Sequence, residues 1–478
     1  MFLGIDLGTS SLKLVLIDGN EKIVAESSQE LTVWRPKPLY SEQNPEDWWT
    51  GLNQAMFKLQ GREQIQAIGL SGQMHGAVLL DASNHVLRPA ILWNDGRSFE
   101  ECKELEHRVP GFQHLIGTRV MPGFTAPKLL WVKRNEAQIF ANIAKVLLPK
   151  DYLRMKMSGD FATDVSDASG TCWLDVGKRK WSEAMIIATD LSMRHLPKVY
   201  EGTEVTSELS RECKERWGIR NRVEIVAGGG DNAASAVGIG ATQPGQAFLS
   251  LGTSGVYFVS SSEFRPNVPD GIHTFCHCLP GLWHQMSVHL SAAANLHWIK
   301  GVLGIDTFDT LYAMADKTST KLLFLPYLSG IRTPYNDPYA RGVFFGLNAG
   351  TTKEEMVRSI LEGVAFDLAD GQEAILKGAS IQEVSVVGGG ARSYLWGRIL
   401  ATILQQTLTY REHAELGGAL GAARLARLSQ EANQDPAQML KPPKVLKIIE
   451  PAKDDYDKKR MLFKHLYRQL KPCFQEAL

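Results

Sequence analysis

The sequence predicts an α/β protein in which two related domains face each other across a central cleft. The first observation is that short apolar segments typical of buried strands alternate with segments of helical periodicity. The second is a repeat, because Leu7-Gly8-Thr9-Ser10 returns as Leu251-Gly252-Thr253-Ser254, each time between two predicted strands. The third is the length of 478 residues, which suits two or three domains. We place the boundary at residue 240, giving domains 1–240 and 241–478.

The first strand–turn–strand unit has the residues expected of a phosphate site. An apolar run leads to Asp6, and the turn Gly8-Thr9-Ser10 separates it from a second strand that contains Lys13. Such a turn can point consecutive backbone N–H groups at an anion. A carboxylate beside it is best explained by a divalent cation, so we predict a Mg-nucleotide site. An ordinary glycine hairpin is the alternative, because short glycine motifs often occur by coincidence.

Local signals predict the next elements. Asn44-Pro45-Glu46-Asp47 marks a helix start, with Asn44 as the N-cap and proline at the first helical position, and the helix is predicted over 46–59. Another helix is expected from Lys150. The segment 163–168 is polar, and we interpret it as a loop. The C-terminal stretch 454–475 has the pattern of an amphipathic helix.

Polar residues follow two predicted strands of the N-terminal half. Met74 and His75 come after the strand 66–70, and Trp93 comes after the strand 89–92. Ligands of α/β domains bind at the carboxyl ends of strands, so these side chains are candidates for substrate contact. A hydrogen-bonded loop residue is an equally good interpretation of His75.

A glycine-rich turn in the middle of the chain precedes a candidate catalytic carboxylate. The predicted strand 224–227 ends in Gly228-Gly229-Gly230, and Asp231 and Asn232 follow at a predicted helix N-terminus. Glycines let the backbone approach a ligand closely. The alternative is that Asp231 only caps the helix.

A third glycine-rich turn follows the predicted strand 383–387. It contains Gly389, Gly390 and Ala391, and it suits a close approach of the backbone to an adenosine. The chain has neither the GxxxxGK[ST] pattern of a P-loop nor the GxGxxG fingerprint.

Composition argues against several classes of protein. Lys+Arg and Asp+Glu both number 52, so nothing favours nucleic acid as a partner. The apolar runs are too short for a membrane span, and the N-terminus lacks the basic region of a signal peptide. Six dispersed cysteines suit a reducing cytosol, and we expect a cytoplasmic protein. His273, Cys276, His277 and Cys278 could suggest zinc, but the two cysteines alternate along a probable buried strand, which is the better interpretation.

Ten segments, in order along the chain, resemble those of the FGGY family of carbohydrate kinases, within the sugar kinase/Hsp70/actin superfamily. They are GIDLGTSSLK, GLSGQMHGAVLLD, RPAILWNDGR, MPGFTAPKLLWV, LLPKDYLR, AGGGDNAASAVG, LSLGTSGVYF, FLPYLSGIRTP, GVFFGL and VVGGGARS. The resemblance covers essentially the whole chain and implies two ribonuclease H-like domains around the cleft. Two positions depart from the family pattern: Ile331 stands where members usually have Glu, and Ser235 where they have Gly.

The resemblance implies ATP-dependent phosphorylation of a sugar with Mg²⁺. The segments Gln73–Gly76 and Trp93–Arg97 are similar to those of members that convert D-xylulose to D-xylulose 5-phosphate. Another ketose or a polyol, for example ribulose, is the nearer alternative, and an actin- or Hsp70-like ATPase is the more distant one. The implied partners are a small sugar and ATP, without nucleic acid or membrane, and a homodimer is a candidate assembly.

The resemblance also implies residue roles. Asp231 is expected to be the general base, and Asp6 to hold Mg²⁺ close to the reacting groups. The residues expected to contact the sugar are Met74, His75, Trp93, Asp231 and Asn232. The residues expected to contact ATP are Gly8, Thr9, Ser10, Lys13, Gly252, Thr253, Ser254, Gly389, Gly390 and Ala391.

Overall fold

The computed structural model describes residues 1–377, 381–431 and 439–476, and of Ala391 it describes only the backbone. The strands β1 to β24 are, in order, Phe2–Leu7, Ser11–Ile17, Ile23–Glu30, Glu42–Gln43, Ala67–Gly72, Val78–Leu80, Ala90–Ile91, Lys145–Leu147, Ala162–Asp164, Leu174–Asp175, Lys180–Trp181, Lys198–Tyr200, Val205–Glu208, Glu224–Val226, Gly229–Gly230, Gln246–Leu251, Gly255–Ser261, His273–Cys276, Trp283–His289, Leu323–Leu325, Val343–Phe345, Glu383–Val387, Leu408–Arg411 and Val445–Ile449. The helices α1 to α16 are, in order, Pro45–Lys58, Phe99–Arg108, Gln113–Ile116, Thr125–Asn135, Ala137–Ala141, Pro149–Ser158, Val165–Ala168, Glu183–Ile187, Arg211–Trp217, Asp231–Ile239, Ala293–Val302, Phe308–Asp316, Lys353–Ile375, Tyr394–Leu404, Gly417–Leu428 and Asp457–Glu476.

Two seven-stranded sheets are built on one plan. The N-terminal sheet has the order β13-β14-β5-β1-β2-β3, with β15 also paired to β5, and the C-terminal sheet has the order β24-β23-β22-β16-β17-β19-β18. In each sheet the central strand, β1 or β16, runs parallel to one neighbour and antiparallel to the other. The α/β class, the repeat and the two-domain architecture predicted from the sequence are therefore confirmed.

The two repeated hairpins differ in register. In the first, Leu7 pairs with Leu12, so four residues lie between the last paired positions. In the second, Leu251 pairs with Gly255, and three residues lie between them. The shared sequence Leu-Gly-Thr-Ser therefore ends in a tighter turn in the C-terminal half, and the residues that follow it occupy different positions on the second strand.

Helix α1 forms where its start signal predicts. The Asn44 side chain accepts a hydrogen bond from the Glu46 N–H, and Pro45 is the first helical residue. Trp48, Leu52 and Met56 recur at helical spacing and are fully buried in the core of the N-terminal half. Burying side chains of this size contributes about 1.5–3 kcal/mol each.

Helices α10 and α15 join the two halves through contacts of bare backbone. Helix α15 follows β23 of the C-terminal sheet in sequence, yet it packs on β1 and β5 of the N-terminal sheet and on α10. A methyl group on Gly4 would lie 1.8 Å from the Ala419 carbonyl oxygen, and one on Gly421 would lie 1.8 Å from the Ala234 carbonyl oxygen. Glycine is needed at these positions because a side chain on Gly4 would force β1 away from α15, and one on Gly421 would force α15 away from α10.

The interpretation of 163–168 as a loop is wrong. These residues complete β9 and form α7, and every one of them is buried. The Asp164 side chain caps α7 by accepting hydrogen bonds from the N–H groups of Ser166 at 2.7 Å and Asp167 at 3.2 Å. Lys150 Nζ lies 2.9 Å from Asp164 Oδ1 inside the protein. Polar residues are buried here because they bind one another.

Further predicted elements are confirmed. The strand Glu383–Val387 has the predicted bounds, His273–Cys276 is a buried strand, and the C-terminal helix spans Asp457–Glu476. Ile331, one of the two departures from the family pattern, is 3% exposed in the core of the C-terminal half. Among the residues that the structure describes, no helix combines the length and the apolar character required to cross a membrane.

Candidate active site

A cavity of about 240 Å³ lies between the two halves of the molecule. Every residue predicted to contact the sugar lines it: Met74, His75, Trp93, Asp231 and Asn232. The turns after β5 and β7 supply the first three, and the first turn of α10 supplies the last two. The structure thus brings together residues that lie up to about 160 positions apart in the sequence.

The C-terminal half forms the opposite wall of this cavity, which the sequence analysis did not predict. Besides Phe124, the additional lining residues are Ser254, Val256, His273, Phe275, Met286, Val288 and Arg332. Ser254 was expected to contact ATP, and the structure places it in this wall. The available signal was the alternation of His273 and Phe275 along one strand, but nothing in the sequence shows which face of that strand meets the N-terminal half.

His75 is held in an unusual backbone conformation. Its φ is +68°, in the left-handed region that side chains other than glycine seldom adopt. Its carbonyl oxygen accepts hydrogen bonds from Thr125 Oγ1 at 3.1 Å and from Lys128 Nζ at 2.8 Å. Nδ1 lies 2.7 Å from the Gly170 carbonyl oxygen and donates to it. Burial lowers the pKa of His75 to about 3, so its ring is neutral and Nε2 is an acceptor.

Asp231 is the first residue of α10, and Gly230 is the N-cap. Asp231 Oδ1 accepts hydrogen bonds from Asn232 N at 2.7 Å and Asn232 Nδ2 at 2.9 Å. Burial and the negative charge of Asp6 raise the pKa of Asp231 to about 7, against the effect of the Asn232 bonds. A carboxylate with a pKa near neutrality is suited to accepting a proton from a substrate hydroxyl.

A buried polar chain fixes the backbone that precedes Asp231. The Gly230 N–H donates to Ser166 Oγ at 3.0 Å, and Ser166 Oγ donates to Asp164. Asp164 in turn pairs with Lys150. The segment interpreted from the sequence as a loop therefore supports the turn that carries Asp231.

Asp6 lies at the end of β1 beside a second cavity of about 720 Å³. Its Oδ1 accepts a hydrogen bond from Ser71 Oγ at 2.8 Å. Burial raises the pKa of Asp6, and Ser71 and the charge of Lys13 oppose that rise. A methyl group on Gly418 would lie 2.8 Å from the Asp6 carboxylate, so the start of α15 lies directly against it. Lys13, Ser235 and Gly389 line the same cavity.

A third cavity, of about 560 Å³, contains the predicted adenosine-binding turn. Gly252, Thr253, Gly389 and Gly390 line it, and Ala391 follows in the same 3₁₀ turn. Gly389 and Arg392 also line the cavity beside Asp6. His297, Phe308 and Tyr312 form an aromatic wall of this cavity that was not predicted from the sequence.

A backbone hydrogen bond closes the turn after β1. The Gly8 N–H donates to the Ser11 carbonyl oxygen at 3.0 Å, so the expected phosphate contacts of this turn rest on the N–H groups of Thr9 and Ser10. Thr9 Oγ1 accepts a hydrogen bond from Trp93 Nε1 at 2.9 Å and donates to Gln73 Oε1 at 3.0 Å. The Thr9 side chain thereby connects the turn to the cavity that contains Trp93.

Comparison with known families matches two models to the chain. The FGGY family of carbohydrate kinases, N-terminal domain, matches residues 1–238, and its C-terminal domain matches residues 247–429. The chain belongs to the FGGY family of carbohydrate kinases. It is therefore an ATP:sugar phosphotransferase, and kinases of this family use ATP with Mg²⁺. This decides against the actin- or Hsp70-like ATPase.

Individual FGGY kinases resemble the chain over its whole length. It is 49% identical to the xylulose kinase of Escherichia coli strain K12 and 47% identical to that of Klebsiella pneumoniae, over 99% of both chains in each case. Among solved structures, a "xyloylose kinase" from Brucella ovis superposes with a TM-score of 0.95 at 44% identity, covering 99% of each chain. The ligand-bound xylulose kinase of Lactobacillus acidophilus gives a TM-score of 0.92 at 25% identity, covering 100% of this chain and 99% of that one.

Proposed function

We propose that this FGGY kinase transfers the γ-phosphoryl group of ATP to D-xylulose, forming D-xylulose 5-phosphate. The observation that carries the proposal is the cavity in which Asp231, with its pKa near 7, faces Met74, His75 and Trp93. Full-length similarity to xylulose kinases supports the choice of sugar. Other ketoses and polyols remain the competing substrates.

Asp231 is the proposed general base. In the ionised form it accepts the proton of the C5 hydroxyl as that oxygen attacks phosphorus, and the Asn232 N–H groups hold the carboxylate in place. A positioned base contributes about 10²–10⁴-fold to rate. The neutral His75 ring offers Nε2 as an acceptor for another sugar hydroxyl.

Asp6 is the proposed Mg²⁺ carboxylate. The site fits this ion, because Mg²⁺ binds through one or two carboxylates and keeps several waters, and Asp6 is a half-buried carboxylate with one oxygen held by Ser71. When bound, Mg²⁺ would neutralise charge on the phosphate oxygens.

The two larger cavities are the proposed ATP site. Phosphates would lie beside Asp6 and Lys13, and the adenosine would lie between Gly389-Gly390 and the aromatic residues Phe308 and Tyr312. The cavities share Gly389, so one extended nucleotide can occupy both. Apolar and aromatic walls with a few polar groups are typical of cofactor sites.

The organisation of the chain is also proposed. A boundary at residue 240 agrees with Gly240, which ends α10 in the left-handed conformation between the two sheets. Free cysteines agree with a cytoplasmic location. A homodimer is the proposed assembly, and the exposed apolar residues Val445, Leu446 and Ile448 of strand β24 are candidates for its interface. Light scattering on the purified protein would measure its mass.

A sugar panel with a coupled ATPase assay tests the substrate. We expect turnover that depends on D-xylulose and exceeds that with L-ribulose, D-gluconate or glycerol. Preference for another sugar would overturn the xylulose assignment.

A variant tests the base. Asp231→Ala should lose sugar phosphorylation by at least about 10²-fold while nucleotide binding, measured by calorimetry, and the circular dichroism spectrum stay unchanged. Near-wild-type activity of this variant would show that Asp231 is not the general base.

A further inference from the structure

Arg332 is a cation in the sugar cavity. Its side chain lines the cavity and is partly exposed, and it forms no hydrogen bond or ion pair with any side chain or carbonyl group in residues 1–377, 381–431 and 439–476. Partial burial lowers the pKa of Arg332. A guanidinium that no described residue pairs is available to a ligand that carries oxygen acceptors or a carboxylate.

Hydrogen bonds of the neighbouring residues hold the backbone on both sides of Arg332, so the fold fixes the point from which its side chain enters the cavity. Thr333 exchanges hydrogen bonds with Val288 of β19: its N–H donates to the Val288 carbonyl oxygen at 3.3 Å, and its Oγ1 accepts from the Val288 N–H at 3.1 Å. Ile331 on the other side is buried and pairs with Asp337. Arg332 is held between two anchored neighbours.

Arg332 shares the cavity with His75 and His273. Its positive charge adds to the effect of burial in lowering the pKa of both rings. The His273 Nδ1 is engaged by Thr118 Oγ1 at 2.8 Å, so this neutral ring does not pair with Arg332.

We propose that Arg332 forms a subsite within the sugar cavity, which binds oxygen atoms of the sugar and which accepts a carboxylate. Five-carbon sugar acids are therefore ligands of this enzyme. The inference rests on the proposed function, which assigns this cavity to the sugar. A guanidinium binds a carboxylate through two parallel N–H bonds, and it donates to a carbonyl or hydroxyl oxygen more weakly.

Calorimetry with two probes of equal carbon number tests the subsite. Xylonate has a carboxylate at one end, and xylitol has hydroxyls only. We expect Arg332→Gln to weaken xylonate binding about tenfold to a hundredfold and xylitol binding by less than about threefold. Arg332→Lys should retain part of the xylonate affinity. Arg341→Gln is the matched control, because Arg341 lies on the same segment and, among the described residues, donates to the Pro338 and Ala340 carbonyls alone.

Two results would overturn the proposal: no xylonate binding to the wild type, or equal xylonate affinity in the wild type and Arg332→Gln. If the glutamine variant does not fold, Arg332→Lys is measured instead, and a xylonate affinity equal to that of the wild type would then overturn the proposal, because lysine cannot form two parallel N–H bonds to a carboxylate. Failure of the xylulose assignment is seen separately in the wild-type sugar panel. A wild type that prefers another sugar yet binds xylonate through Arg332 would overturn the sugar assignment and leave the subsite standing.

Discussion

The two halves share a strand plan but differ in charge at the equivalent strand ends. In the N-terminal sheet Asp6 lies opposite Lys13, whereas in the C-terminal sheet Ser250 lies opposite Val256. At these paired positions the C-terminal hairpin therefore carries no charge, whereas the N-terminal hairpin carries one carboxylate and one ammonium group. The repeated fold thus supplies two turns beside the cleft, while both carboxylates proposed for catalysis, Asp6 and Asp231, belong to the N-terminal half. The C-terminal half contributes the opposite wall of the sugar cavity and the glycine turns of the proposed ATP site.

Substitution of the two equivalent strand-end residues, Asp6 and Ser250, is expected to give the largest difference in activity. Asp6→Asn should reduce kcat/KM by about 10²-fold or more, because it removes the carboxylate proposed for Mg²⁺. Ser250→Ala, the equivalent change in the C-terminal half, should alter it by less than about threefold, because only a neutral hydroxyl is lost. Steady-state kinetics over a range of Mg²⁺ concentrations measures both. Similar losses in the two variants would show that the halves share the chemistry.

Removing the support beneath Asp231 should have an intermediate effect. Ser166→Ala leaves the Gly230 N–H without its acceptor, and an unpaired buried group costs about 1–3 kcal/mol. We expect kcat to fall about tenfold with little change in KM for ATP, since the nucleotide cavities are not touched. Ser359→Ala is the control in the other half, because its buried hydroxyl donates to the carbonyl oxygen of Met356 in its own helix and to no other group of the described part of the chain. Equal losses of kcat in the two variants would show that Ser166 contributes only to the stability of the fold.

The smallest expected effect is on stability. Because the pKa of Asp231 is about 7 when folded, above its ordinary value of 3.8, folding takes up a proton between these values and stability declines as pH rises through this window. Each unit of pKa corresponds to about 1.4 kcal/mol. Asp231→Asn should therefore raise the melting temperature by a few degrees at pH 8 and by less at pH 5. An equal gain at both pH values would contradict the raised pKa.

The sequence predicted local structure well where the signal is local. Asn44 and Pro45 define the start of α1, and the apolar run before Gly388 defines β22. The repeat predicted two sheets because both hairpins keep the same residues at their turns. Met74, His75, Asp231 and Asn232 share one cavity because they follow β5 and β15, neighbouring strands of one sheet, whereas Trp93 follows β7 of a separate two-stranded sheet.

Other features depend on packing between distant segments, and the sequence does not reveal them. Because Asp164 and Lys150 are charged, the sequence suggests that both side chains are exposed. In the structure both are buried, and they form an ion pair with each other. Arg332 and His273 reach the cavity only because the C-terminal sheet faces the N-terminal one. The one-residue difference between the hairpins is invisible in the shared motif, since register depends on pairing along the whole strand.

The glycine contacts bring the backbones of α10 and α15 together where the two halves of the molecule meet. Asp231 occupies the first turn of α10, and Gly418, against the Asp6 carboxylate, occupies the first turn of α15. Because Ala234 touches the position of Gly421, a rotation of α15 about α10 moves Gly418 relative to the Asp6 carboxylate. Asp6 and Asp231 both belong to the N-terminal half, so the angle between the halves decides how closely α15 covers the two acids and not how far apart they lie.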